Sequence, residues 1–326
     1  MGLFEKIQSP ILIAVMIIGL VLGIVGPNVG SAVDTLVYFS IIVLIYSMAL
    51  GVPLGEVGRS YRRIRFFAIA WTLNFLVIPL IAWLLAMTFL GAYPAIYVGF
   101  ILYLVTPCTD WFLVFTSMAR GDVPLGLALL PTNLALQILL LPVYIYAFAG
   151  QIIPFQLSAF FETVVVFIAL PFVLAALTRH ILTKVRGKER KKAIIGRISP
   201  PLQLATLSVV IFLMFFGQSK VIADNIGPLL IIFIPLLVFF LISYVMSRSV
   251  SKFFKLEYKE CALLTCTTAA RNSPLSLAIA FGVFPDQPLI YVAIIIGVLI
   301  ELPILVLVTK MLTASKGSDD CRRPSM

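Results

Sequence analysis

The chain is short of charge, of histidine and of cysteine, and each shortage closes off a class of protein. Charged residues make up 12% of its 326 positions, against about 25% in soluble domains, too few to cover a water-facing globule. His180 is its single histidine, and Cys108, Cys261, Cys266 and Cys321 contain no Cys-x-x-Cys pair. A zinc site and a disulfide framework are therefore not expected. An enzyme or receptor finds little support either: loops are short, and there is no metal cluster, nucleophile–base pair or soluble domain. The net charge of +10 would suggest nucleic acid in a soluble protein, but its placement along the chain argues otherwise.

What the chain has in abundance is apolar length. Hydrophobic residues reach 61% and mean hydropathy is +1.12, the composition of a polytopic membrane protein. Windows of about 20 apolar residues predict ten spans, near 9–27, 33–53, 66–90, 93–119, 123–149, 157–180, 201–222, 227–247, 259–283 and 287–313. The stretch from Pro10 to Gly26 is long for the core of a cleaved signal, and only Lys6 precedes it, so it reads as a first span. The polar tail at 315–326 is expected to be disordered. With ten spans, 22 of the 24 Lys and Arg residues fall on one side, Lys220 on the other, and Arg271 within a span. The positive-inside rule then predicts an integral plasma-membrane protein with both termini in the cytoplasm, and accounts for the basic balance without nucleic acid.

Two stretches interrupt this apolar background, Val105-Thr106-Pro107-Cys108-Thr109-Asp110-Trp111 and Ala270-Arg271-Asn272-Ser273-Pro274. A bilayer tolerates such breaks only where they face protein or a watery cavity, and paired broken helices mark a transporter's substrate site. Five spans per half is an odd number, so the second half is expected to be inverted. An offset of 164 aligns Gly121-Asp122-Val123-Pro124-Leu125 with Pro285-Asp286-Gln287-Pro288-Leu289. The same offset pairs Cys108 with Asn272, Thr109 with Ser273, and Gln137 with Glu301. The expected fold is all-α: ten transmembrane helices in a 5+5 inverted repeat, 1–150 and 151–314, with two crossing broken helices.

Candidate site residues follow from cost. Arg271 is the most expensive residue to bury, at roughly 2.5–3.5 kcal/mol on insertion scales. It reads either as an ion-pair partner of Asp110 or as a contact for an anionic solute, and both can hold if the pair opens in one state. Glu301, mid-span in Ile300-Glu301-Leu302-Pro303, suits a proton carrier because desolvation disfavours its charged form; a structural pairing with Gln137 or Arg271 is the alternative. Cys108 follows Pro107 where the backbone opens, beside two hydroxyls, and could ligate a thiophilic centre, or be a small core residue as Cys261 and Cys266 are expected to be. Asn133 and Gln137 share one face of the fifth span, as cavity lining or as helix–helix glue. Asn74 reads as such glue, and His180 as a solvated residue near a helix end.

The segments Cys108-Thr109, Leu113-Val114 and Met118-Ala119-Arg120-Gly121-Asp122 resemble the fourth helix and following loop of the arsenite-efflux permeases, a branch of the bile acid:sodium symporter superfamily. Leu134-Ala135-Leu136-Gln137 with Val143-Tyr144-Ile145-Tyr146-Ala147-Phe148 is similar to their fifth helix, Leu277-Ala278-Ile279-Ala280 to their ninth, and Gly297-Val298-Leu299-Ile300-Glu301-Leu302-Pro303 to their tenth. The likeness covers about 93–150 and 259–313. It implies a ten-helix transporter with panel and core domains and alternating access, in which Cys108 and Glu301 form the functional pair and export is coupled to proton influx. The chain departs from that branch at Arg271-Asn272-Ser273-Pro274 and at Asp110; Asn272-Ser273 resembles instead the sodium-coupled branch.

The expected function is therefore a secondary transporter exporting arsenite or a related oxyanion against protons. Cys108, Thr109, Arg271 and Asn272 would form the substrate site, Glu301, Asp110 and Ser273 would serve coupling, and Asn133 and Gln137 would line the cavity. No cofactor and no resident metal are expected; the coupling ion is H+ or Na+. The alternative is sodium-driven uptake of an organic anion, with Arg271 on its carboxylate or sulfonate and Thr109, Asp110, Asn272 and Ser273 giving sodium hard oxygens. Expected partners are the small solute and the bilayer.

Overall fold

Apolar segments without water must satisfy their backbone groups internally, and the helix does so within one segment. The computed structural model describes residues 3–26, 30–51, 63–109, 111–150, 152–153 and 156–315. Its named elements are all helices, and Pro107 and Arg271 form an isolated antiparallel bridge. Among the described residues six helices are long and apolar enough to cross a membrane: Val33–Gly51, Ile64–Leu90, Val123–Phe148, Ser158–Gly217, Ile226–Phe253 and Pro288–Ala314. Pro10–Val25, Pro94–Leu104 and Ser273–Val283 are shorter apolar helices. On two of the long helices exposed apolar side chains recur every turn: Leu76, Leu80, Leu84 and Met87 on one, Leu230, Ile234, Leu237 and Leu241 on the other. That is the stripe a lipid-facing helix presents.

The basic stretch expected to be a loop between 180 and 201 is instead helical. Lys, Arg and Glu are good helix formers, so a run rich in them continues the helix. Gly187, at φ 76° and ψ 167°, is the residue that leaves helical angles and divides the run. The tail beyond 315, with Cys321, lies outside the described residues.

The chain forms two compact units, each drawn from both halves. The first comprises Met1–Val52, Pro154–Leu229 and Ser273–Ile295; the second comprises Pro53–Ile153, Leu230–Asn272 and Ile296–Met326. In the first unit, Gly19 and Gly23 stand four apart against the carbonyls of Phe212 and Phe216, where a Cβ on Gly19 would meet the Phe212 oxygen at 2.7 Å. Small residues at this spacing let two apolar helices approach closely. Ser199 Oγ and Gln203 Nε2 both donate to the Ser47 carbonyl, at 2.8 and 3.3 Å.

In the second unit, the half-exposed Arg63 reaches Asp122 at 3.3 Å and Glu260 at 2.9 Å. Asp122 in turn caps the Val123–Tyr144 helix by accepting from the Leu125 N–H at 3.0 Å. Its own N–H donates to the Lys259 carbonyl, and Gly121 permits the approach, since a Cβ there would lie 3.2 Å from the Leu263 nitrogen. The Ile64–Leu90 helix contains a π turn at Leu73–Val77. Just after it, Pro79 has no N–H to give the carbonyl four residues back, that of Phe75. Tyr144 supplies the missing donor through its hydroxyl, at 2.5 Å.

Tyr144→Phe is expected to lower stability by about 1–3 kcal/mol, the cost of leaving that carbonyl unpaired, read as a fall in the Tm of purified protein. Pro79→Ala restores an N–H, so the hydroxyl should matter less in that background. Equal losses from Tyr144→Phe with Pro79 and with Ala at 79 would refute the assignment.

Candidate functional site

Both breaks lie in the second unit, up to Asn272, and there they meet. The Pro94–Leu104 helix ends just before Val105, and Tyr258–Ala269 is followed by Ala270, which is extended at φ −76° and ψ 139°. Pro107 and Arg271 then pair as an antiparallel bridge. The Cys108 N–H donates to the Ala270 carbonyl at 3.1 Å, and the Asn272 N–H to the Thr106 carbonyl at 2.8 Å. An offset of 164 residues carries one of these bonds onto the other, the same offset that relates the two breaks in the sequence. Backbone groups freed by each break are thus taken up by the other, the requirement that an apolar interior imposes.

Side chains extend the crossing. Asn272 Nδ2 donates to Thr109 Oγ1 at 3.1 Å, and both residues are buried. Thr106 Oγ1 returns to its own helix at the carbonyls of Leu102 and Tyr103. Cys108 is buried and forms no disulfide. Ser273, also buried, begins the stretch assigned to the first unit. Asp110 lies outside the described residues, and with it the pairing with Arg271 that the sequence suggested.

Glu301 joins this crossing from the Pro288–Ala314 helix. Its Oε1 accepts from the Arg271 backbone N–H at 3.0 Å, and its Oε2 accepts from the Tyr103 hydroxyl. Gly297, one turn earlier, makes the second contact feasible: a Cβ there would stand 2.6 Å from the Tyr103 ring. The glycine therefore gives the ring its seat, and Glu301 meets the hydroxyl one turn on. Of the pairings considered for Glu301, that with Arg271 is made by a hydrogen bond from the backbone N–H. Gln137 does not take part, because neither its amide oxygen nor its nitrogen has a hydrogen-bond partner.

The Arg271 guanidinium points to neutral oxygens. Nη1 donates to the Leu104 carbonyl at 2.9 Å. Nη2 lies 3.4 Å from Asn74 Oδ1 and 3.4 Å from the Thr267 carbonyl, and also donates to the Thr268 carbonyl. The Phe239 ring is 5.5 Å from the guanidinium carbon. Asn133 and Gln137, on successive turns of Val123–Tyr144, are both buried with every amide atom unpartnered.

Sequence reasoning did not single out Tyr103, which looked like one aromatic in an apolar run, and treated Asn74 as glue. A tyrosine one turn before the break was the available signal for the first. For the second it was the asparagine ahead of Pro79, where the helix forms a π turn, a feature frequent at functional sites.

The chain is 28% identical over 246 residues to the Arsenical-resistance protein Acr3 of Corynebacterium glutamicum, covering 72% of this chain and 66% of that protein. It is 22% identical over 331 residues to the Arsenical-resistance protein Acr3 of Alkaliphilus metalliredigens, covering 95% of this chain and 92% of that one. An uncharacterized transporter of a Synechocystis species is 21% identical over 348 residues, covering 95% and 88%. The family profile of the Sodium Bile acid symporter family matches residues 38–225, more than half of the chain. The chain, with its apolar membrane-crossing helices, belongs to the Sodium Bile acid symporter family.

Proposed function

We propose that this transporter exports arsenite or a related oxyanion in exchange for protons. The observation that carries the reading is the way one buried carboxylate holds the crossing of the breaks while a buried thiol sits on it. Glu301 fastens the Arg271 backbone, and the next carbonyl back, that of Ala270, receives the Cys108 N–H. As a carboxylate, Glu301 accepts from both Arg271 and Tyr103. A proton on either oxygen adds a donor and weakens the carboxyl as an acceptor, which loosens its hold on the Arg271 N–H or turns the Tyr103 hydroxyl from donor to acceptor. Proton uptake and the position of Cys108 are in this way linked through three residues of backbone.

Arsenous acid is neutral near pH 7 and has a thiophilic centre, which suits a thiol. An organic anion needs positive charge, and the guanidinium of Arg271 already serves Leu104, Asn74, Thr267 and Thr268. In this reading Cys108 meets the solute, with Thr109 and Asn272 fixing the wall beside it. Asn133 and Gln137 line the path, where their unpaired amides would find water or solute. Arg271 contributes by holding the walls of the site. Asp110 and Ser273 are proposed to assist coupling.

The topology proposed is ten spans in a 5+5 inverted repeat, 1–150 and 151–314, with both termini cytoplasmic. The division at Gly187 and the 164-residue offset of the paired bonds support it. The composition of the two units supports a panel and core organisation: one takes 1–52 and 154–229, the other most of the rest.

Three experiments test these proposals. Cysteine labelling at Lys191 is expected from the cytoplasmic side only; periplasmic labelling would overturn the ten-span topology. Glu301→Gln keeps the side-chain shape but holds no exchangeable carboxyl proton, so proton-coupled flux in proteoliposomes should vanish; wild-type flux with unchanged pH dependence would remove the proton role. Cys108→Ser should abolish arsenite resistance in a sensitive host at matched membrane expression, while Arg271→Lys is milder. A silent Cys108→Ser together with a severe Arg271→Lys would instead favour sodium-driven uptake of an organic anion, for which the planar guanidinium fork matters.

A further inference from the structure

A buried guanidinium is stable in an apolar interior only where oxygens replace its water, and the oxygens around Arg271 have a particular chemistry. Leu104 is the last residue of its helix, and Thr267 and Thr268 lie in the last turn of Tyr258–Ala269. The carbonyls that surround the guanidinium thus belong to two helix C-termini, each carrying partial negative charge. Asn74 Oδ1 adds a fourth neutral oxygen, and the Phe239 face adds a π surface. Three carbonyls and an amide oxygen converging on one cation are the hard, uncharged donor set that alkali metal ions also take. All four oxygens accept hydrogen bonds, so the set suits a cation and not an anion.

We propose that this oxygen cage is an alkali-cation site that the chain fills permanently with its own side chain. Arg271 stands where a dissociable sodium or potassium ion would bind, and the crossing holds its shape without one. The cage rests on its own geometry. Only the corollary, that the proton is left as the coupling ion, rests on the export reading above. For a member of a family named for sodium symport, the consequence is a crossing that no longer depends on sodium.

The test uses the purified full chain and thermal unfolding, a readout that requires no transported solute and so separates this proposal from the choice of substrate. Wild-type protein is expected to melt at the same temperature in sodium, potassium and N-methylglucamine chlorides of equal ionic strength. Arg271→Ala should melt lower in N-methylglucamine and regain about half or more of that loss along a saturating curve as sodium or potassium is added, as expected for a ligand that binds the folded state. Arg271→Lys keeps a tethered cation and should fold without alkali ions, which keeps the proposal testable should Arg271→Ala prove unstable. Saturable, sodium-specific stabilisation of wild-type protein would overturn the proposal. So would an Arg271→Ala protein that none of these cations restores, or an Arg271→Lys protein that needs sodium to fold.

Discussion

The constraint on which the site depends is the satisfaction of backbone polar groups where two apolar helices are interrupted. An unpaired N–H or carbonyl costs several kcal/mol in an apolar medium, and each break frees several. The two bonds between Cys108 and Ala270 and between Asn272 and Thr106 answer part of that demand by making each break the other's partner. Once the strands are joined in this way, the side chains at the crossing have little choice of position. Asn272 reaches Thr109, and Glu301 reaches the one N–H between them that faces it, that of Arg271.

The helix ends are the other half of the demand. Carbonyls at the C-terminus of a helix lack intrahelical donors, and here those of Leu104, Thr267 and Thr268 gather around one guanidinium. Arg271 therefore acts at the crossing twice, through its backbone on Glu301 and through its side chain on the helix ends. The costliest residue of the chain is stabilised because it relieves groups that would otherwise be costly themselves. The same logic operates at a smaller scale in the Ile64–Leu90 helix, where Pro79 deprives Phe75 of a donor and Tyr144 provides one.

Glycine and small side chains decide how closely the parts approach. Gly297 seats the Tyr103 ring and so allows its hydroxyl to reach Glu301; Gly121 brings the turn before Asp122 onto the start of the Tyr258–Ala269 helix. Without attraction between helices beyond packing and polar bonds, such contacts set the geometry that longer apolar side chains only fill.

Much of this was legible in the residues alone. Apolar length and the scarcity of charge established a helical membrane protein, because a bilayer offers backbone groups no other partner. Prolines, hydroxyls and a lone arginine located both breaks, and the isolated carboxylate at Glu301 stood out because burying it is costly. The basic stretch from 180 to 201 misled, since charge suggested a loop while Lys, Arg and Glu favour helix and only Gly187 interrupts it. What tertiary structure alone decided was partnership. That Tyr103 serves Glu301, that Asn74 serves Arg271, and that the guanidinium meets carbonyls while the backbone beside it meets the carboxylate are facts of distance between segments up to 198 residues apart. A one-dimensional pattern shows which groups must be satisfied; only the packed chain determines by whom.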